Sequence, residues 1–265
     1  MLIDEDPFVI GDLPPGALAA AWRHGEAVAV HRIPPMRRGL SMLLLGPPAD
    51  LAPLIAALVG TDAMMGVRGV TIERHNFEPV AAELRRAGAV LHEGHDWDWM
   101  WTSTPPPAPN SHHDTRNNDT RNRIHELDDT LDAAQIRRFY AAANPDAESQ
   151  PGEGVAQLWL GIRDRSGLIA VGALHATPAG YPHLTGIAVD PAARGRGLGV
   201  ALSAELTRRA LGQPQPVGRP MSTLGMYAEN DAARAVYTRL GYRVGRAWAS
   251  RPITSPGVSH AVSSG

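Results

Sequence analysis

The stretch LTGIAVDPAARGRGLGVALSAELTRRAL, residues 184–211, constrains this chain more than any other. A run of small and apolar residues reads as a strand and ends at Asp190-Pro191. Arg194-Gly195-Arg196-Gly197-Leu198-Gly199 then packs three glycines and two arginines into six residues, and an amphipathic helical pattern follows over 200–211. Glycines between a strand and a helix let backbone N–H groups come close to a ligand. The helix that follows carries about half a positive charge at its N-terminus. Together they make a site for phosphate or pyrophosphate, to which Arg194 and Arg196 add full charges.

Composition narrows the anion. All 25 basic residues are arginine, so the lysine of a P-loop is missing. A dinucleotide fold begins to match with Gly195-x-Gly197 and with Glu229 past the next strand. Its third small position falls on Val200, however, and too few strand–helix units follow for a doubly wound sheet. A net charge of -2 argues against nucleic acid as the main partner. With no cysteine there are no disulfides, no thiolate metal sites and no cysteine nucleophile. The acidic N-terminus lacks the apolar core of a secretory signal, and no apolar run reaches membrane-spanning length. The expectation is a cytoplasmic protein without a membrane partner, either a monomer or a homodimer.

Periodicity predicts an α/β chain with a mixed sheet covered by helices. Before residue 104, strands are expected in AVAVHRI, LSMLLLG, GVRGVTIE and HDWDWMWTS, and helices in ADLAPLIAALVG and EPVAAELRRAG. The segment TPPPAPNSHHDTRNNDTRN is nearly free of apolar residues and reads as a linker over 105–121. Its His112, His113 and Asp114 read as solvated rather than metal-binding. A second domain then spans 122–253, with strands at NRIHELDD, HLTGIAVD, MSTLGMY and GYRVGRAWAS. A hairpin turns at Arg165-Ser166-Gly167, and helices lie at LDAAQIRRFYAAANP, 200–211 and DAARAVYTRL. The tail 254–265 is polar and reads as disordered. Residues 82–102 and 235–253 share a helix–turn–strand pattern ending in tryptophan; a duplication and a coincidence explain that echo equally well.

Arg194-Gly195-Arg196-Gly197-Leu198-Gly199 resembles the acetyl-CoA pyrophosphate motif of the GCN5-related N-acetyltransferase (GNAT) family, Gln/Arg-x-x-Gly-x-Gly/Ala. The downstream AENDAARAVYTRLGYRV resembles the family's next motif, with Asn230, Ala233, Tyr237 and Leu240-Gly241-Tyr242 at matching spacing. The resemblance covers roughly the C-terminal half. It implies a GNAT-like acyl-CoA N-acyltransferase fold there. The smaller 1–104 α/β domain, without a pyrophosphate motif, looks like the degenerate N-terminal region of two-part members.

The resemblance also implies roles. Acetyl-CoA is the co-substrate and a small-molecule amine the acceptor. The strand backbone of Ile187, Ala188 and Val189 would pair with pantetheine, and the backbone from Gly195 through Val200, flanked by Arg194, would hold the pyrophosphate. Asn230, with Ala233 three residues on, would cap the next helix and touch the cofactor. Tyr237 would stabilise the departing thiolate. A thiol of pKa about 8.5 against a phenol of about 10 makes full proton donation slightly uphill, by roughly 2 kcal/mol. The family's glutamate base maps to His183, a residue type that titrates near neutrality; Glu229 and a water chain remain alternatives, and His175 reads as packed. Tyr140, Asn144, Asp146, Glu148 and Glu153 fall in the region that binds the acceptor in the family. The Trp97–Trp101 run reads as strand core. The competing reading from another class is a non-catalytic module that binds or senses acyl-CoA.

Overall fold

A computed structural model describes residues 6–14, 16, 18–33, 39–107, 124–145, 147, 149–216 and 219–255. The linker with His112, His113 and Asp114, the polar tail, and Asp146 and Glu148 therefore lie largely or wholly outside the described residues. The chain forms two compact units that interleave along the sequence. One comprises Met1–Asp12, Trp99–Met226 and Asn230–Gly245; the other comprises Leu13–Asp98, Tyr227–Glu229 and Arg246–Gly265.

The unit centred on the N-terminal half holds β1 (Ala20–His24), β2 (Ala27–Arg32), β3 (Leu40–Leu45), α2 (Pro48–Leu58), β4 (Val67–Glu73), α3 (Phe77–Arg86) and β5 (Val90–Leu91). β1, β2 and β3 pair antiparallel in turn, and β4 runs parallel to β3 with α2 as the crossover. The Arg246–Thr254 part of the last strand, β12 (Arg243–Thr254), pairs antiparallel with β4. Met42, Leu44, Val70 and Ile72 face Leu51, Ile55, Val80 and Leu84 of the two helices to form its core. α2 starts at Pro48, and Asp50 in its first turn accepts a hydrogen bond from the Glu26 amide at 2.9 Å. A carboxylate therefore already occupies the positive end of that helix.

The other unit contains α1 (Pro7–Asp12), the end of β6 (His95–Thr102), β7 (Ile124–Leu127), α4 (Ala133–Ala143), β8 (Leu158–Asp164), β9 (Gly167–Ala176), β10 (Pro182–Val189), α5 (Leu198–Gly212), β11 (Ser222–Tyr227) and α6 (Asp231–Arg239). β7 through β10 form an antiparallel meander, and β11 joins β10 in parallel after the α5 crossover. The β8–β9 turn is the expected one: Asp164 accepts from the Ser166 amide at 2.8 Å, and Gly167 has φ +125°. Alternation along the strands builds two cores. Leu160, Leu174, Leu184 and Leu224 meet Leu198, Leu202 and Leu206, which recur every fourth residue of α5. On the opposite face Trp159, Val171, Ala173 and Ala188 meet Ile136, Phe139 and Tyr140 of α4.

Among the strands and α-helices of the described residues, three are absent from the periodicity reading: α1, β1 and β5. β1 pairs with β2 and is mostly exposed, so its backbone bonds hold it without an apolar stripe to mark it. α1 spans six residues and β5 two, too short for a period to show.

Candidate active site

The site grows from an irregularity in β10. Its register with β9 shifts between Thr185 and Ala188, where Gly186 adopts φ +61°. A Cβ at Gly186 would collide with the Tyr140 hydroxyl and would sit 2.8 Å from Ser149 Oγ. Only glycine fits that notch. The Tyr140 hydroxyl donates to the Gly186 carbonyl at 2.6 Å, and Ser149 Oγ lies 2.9 Å from Thr185 Oγ1. The bulge is thus pinned from the α4 side.

On its other edge β10 pairs with β11 only through His183↔Thr223 and Leu184↔Leu224. β10 continues to Val189 and β11 to Tyr227, so the two parallel strands part after Leu184. The backbone of Ile187, Ala188 and Val189 borders that gap. Ala188 is buried in the α4-side core, while Ile187 and Val189 pack half-buried against the α5-side core.

The glycine loop follows. Asp190 accepts from the Ala192 amide at 2.8 Å and starts a short 3-10 turn over Pro191–Ala193. Gly195 and Gly197 have φ +73° and +75°, a region that explains the two glycines directly. Gly197 is the N-cap of α5, and the first intrahelical bond runs from the Ala201 amide to the Gly197 carbonyl at 3.0 Å. The amides of Leu198, Gly199 and Val200 come before that bond, at the positive end of the helix. A Cβ on Gly199 would lie 3.6 Å from Val189 Cγ2, so the helix start rests against the end of β10. Arg194 and Arg196 are exposed, with Arg194 Nε donating to the Val189 carbonyl at 3.3 Å. Strand gap and amide cluster are therefore continuous along the chain.

Asn230 caps α6, its Oδ1 accepting from the Ala233 amide at 3.0 Å. Two turns on, Tyr237 is buried on the α5 side and meets the Tyr242 ring edge-on at 5.9 Å. Burial pushes the Tyr237 phenol up to about 12. Tyr242 is held by a chain of hydroxyls. Thr207 donates to the Ser203 carbonyl at 2.7 Å, so it accepts from Tyr242 at 3.1 Å, and Ser222 in turn donates to Tyr242 at 2.7 Å.

His183 lies on the opposite face, the α4 side, as its cross-strand partner His175 does. Burial first, and the charge of His175 second, push His183 down to about 4. The ring is therefore neutral at pH 7, well below the near-neutral titration its residue type suggests. Burial also lowers His175, partly offset by Asp129. For Asp129 burial acts upward, but the amides of Gly152 and Gly154, the Trp159 indole and the field of His175 hold it below its ordinary value. Glu229 is exposed in the turn before α6.

Of the acceptor candidates, Tyr140 is committed to the bulge, and Asn144 ends α4, its amide donating to the Tyr140 carbonyl. Glu153 is exposed. The tryptophan run is strand structure. Trp99 is fully buried edge-on to Phe8, Trp101 lies under the Arg243 guanidinium at 3.8 Å, and Trp97 donates to Ser250 Oγ at 2.8 Å. Sequence reasoning missed Ser149 and Thr223: strand register fixes the partner of Thr223, and Ser149 reaches Thr185 from the segment between α4 and β8. No helix among the described residues is long and apolar enough to cross a membrane.

The acetyltransferase (GNAT) family model matches residues 98–242, and the chain belongs to that family. Among solved structures it is similar to a GCN5-related N-acetyltransferase from Sphaerobacter thermophilus, at 18% identity and TM-score 0.54, covering 88% of this chain and 78% of that one. It is also similar to a GCN5-related N-acetyltransferase-like protein from Streptococcus suis, at 11% identity and TM-score 0.50, covering 94% and 98% of the two chains. A third similar structure is the glucosamine N-acetyltransferase region of a fungal multi-domain β-N-acetylglucosaminidase, at 14% identity and TM-score 0.52, covering 86% of this chain and 31% of that one. These likenesses extend the shared fold over most of the chain. No curated protein sequence matches it.

Proposed function

We propose that the protein is an N-acetyltransferase. It transfers acetyl from acetyl-CoA to the primary amine of a small-molecule or amino-acid-like acceptor by direct attack. The observation that carries this reading is the parting of β10 and β11 directly beside the amides of Leu198, Gly199 and Val200. Acetyl-CoA supplies an activated acyl group and a thiolate leaving group. The strand edge Ile187–Val189 binds its amide arm, and Arg194 through Val200 hold its pyrophosphate. The amine nitrogen attacks the acetyl carbon, the N–C bond forms, the C–S bond breaks, and one N–H proton passes to His183. Tyr237 donates a hydrogen bond to the sulfur as negative charge collects there.

The low His183 value limits the acceptor. Taking a proton from an alkylammonium of pKa about 10.4 would be uphill by about 9 kcal/mol for a base near 4. The amine must arrive neutral, with His183 accepting only as the N–C bond makes the nitrogen acidic. Arriving neutral at pH 7 costs about 4–5 kcal/mol for an alkylamine and about 1 kcal/mol for the α-amino group of a peptide. An acceptor amine of lowered pKa is favoured on that ground.

The test is release of CoA thiol with a panel of alkylamines, α-amino acids and glucosamine, the last because it is the acceptor in the name of the fungal region. Turnover should be fastest with the amines of lowest pKa. Tight acetyl-CoA binding with no turnover on any amine would instead make this an acyl-CoA-binding module.

A further inference from the structure

We infer that Thr223 is a positioning residue for His183: its hydroxyl accepts the ring Nδ1–H and so leaves Nε2 as the nitrogen that takes the acceptor's proton. This rests on the reading of His183 as the base. Thr223 is fully buried on β11 and is the direct register partner of His183. Its Oγ1 lies 2.8 Å from His183 Nδ1. The same hydroxyl lies 3.4 Å from the Pro182 carbonyl, which can only accept. A threonine hydroxyl carries one proton. With that proton spent on Pro182, Oγ1 can meet the imidazole only as an acceptor, and the hydrogen between them belongs to Nδ1.

A neutral imidazole has one N–H, so fixing it at Nδ1 fixes the lone pair at Nε2. The ring stands on the last rung but one before β10 and β11 part. On its other side is His175, with Asp129 beyond it. The arrangement does for a strand-borne histidine what an orienting carboxylate does elsewhere, without adding a charge next to an amine site.

The test reads the tautomer first. Long-range 1H–15N correlation spectra of the full-length 15N-labelled protein, with His183 assigned by loss of its signals in His183→Gln, should show the Nδ1–H form at pH 7. Thr223→Val, nearly isosteric, should shift the ring toward the Nε2–H form, and Thr223→Ser should restore Nδ1–H. Turnover in Thr223→Val should fall about tenfold, the worth of one hydrogen bond, with the KM for acetyl-CoA unchanged. In a His183→Gln background the same change should cost nothing more. An Nε2–H ring in the wild type would overturn the assignment. So would an equal turnover loss from Thr223→Val in both backgrounds, which marks a merely structural residue. Should the wild type turn over no amine, the acetyltransferase reading fails by itself, and the wild-type spectrum still decides for or against Thr223.

Discussion

Tyr237 shows how burial changes what one side chain can do. With its phenol near 12 and a leaving thiol near 8.5, handing over the proton is uphill by about 5 kcal/mol. Keeping the proton and donating a hydrogen bond to the thiolate is what remains. A hydrogen bond to a charged group contributes about 1.5–3 kcal/mol. Tyr237→Phe is therefore expected to lower kcat by roughly 10- to 100-fold. The ring keeps its edge-on contact with Tyr242, so acetyl-CoA affinity measured by calorimetry should not change. Unchanged kcat would remove Tyr237 from the chemistry. Its position followed from the resemblance of Asn230, Ala233 and Tyr237 to a family motif, and a motif carried on one capped helix shows in local spacing. Thr223 and Ser149 were not readable, because their partners His183 and Thr185 lie 40 and 36 residues away. The register of the sheet brings Thr223 to His183, and the chain segment after α4 brings Ser149 to Thr185.

At the scale of elements, the start of α5 separates a binding role from a folding role. Gly197 cannot do so: at φ +75° any substitution strains the backbone, whatever it does to a ligand. Gly199 can. It sits in the first turn of the helix, and a Cβ there meets Val189 at an ordinary 3.6 Å. Gly199→Glu should gain about 0.5–1 kcal/mol from helix propensity and a similar amount from the helix dipole. The folded protein should melt no lower than the wild type. The same carboxylate stands where the pyrophosphate would bind, so acetyl-CoA affinity should fall by more than tenfold, read by thermal shift with and without the ligand. A variant of full affinity would move the anion site elsewhere. That helix, its glycine loop and the strands of the meander were all legible from period and turn chemistry. The Gly186 bulge was not, because what demands glycine there is the tip of Tyr140 from α4, a contact no strand pattern records.

Across the whole molecule, three histidines share one sign. Burial lowers His31 in one unit and His175 and His183 in the other, so the fold holds each ring neutral more firmly than the unfolded chain does. Below pH 6.5 the unfolded chain takes up protons that the fold refuses, so stability falls with falling pH. Their contribution is complete above pH 6.5. For His183 it is lost progressively until the folded ring itself protonates near 4. At pH 5 that one residue should already cost about 2 kcal/mol. Asp129, held below its ordinary value, adds a loss of the same sign at lower pH, where its carboxyl takes up a proton on unfolding. Urea unfolding between pH 7 and 4.5 should therefore show a falling midpoint and a net proton uptake on unfolding. His183→Gln should reduce that uptake by about one proton and flatten the fall, since glutamine has no proton to gain. If the variant and the wild type lose stability in parallel, His183 is not held neutral by the fold. The limit on acceptor amines would then disappear with it, because a histidine titrating near 6.5 could take up an ammonium proton at about 5 kcal/mol rather than about 9.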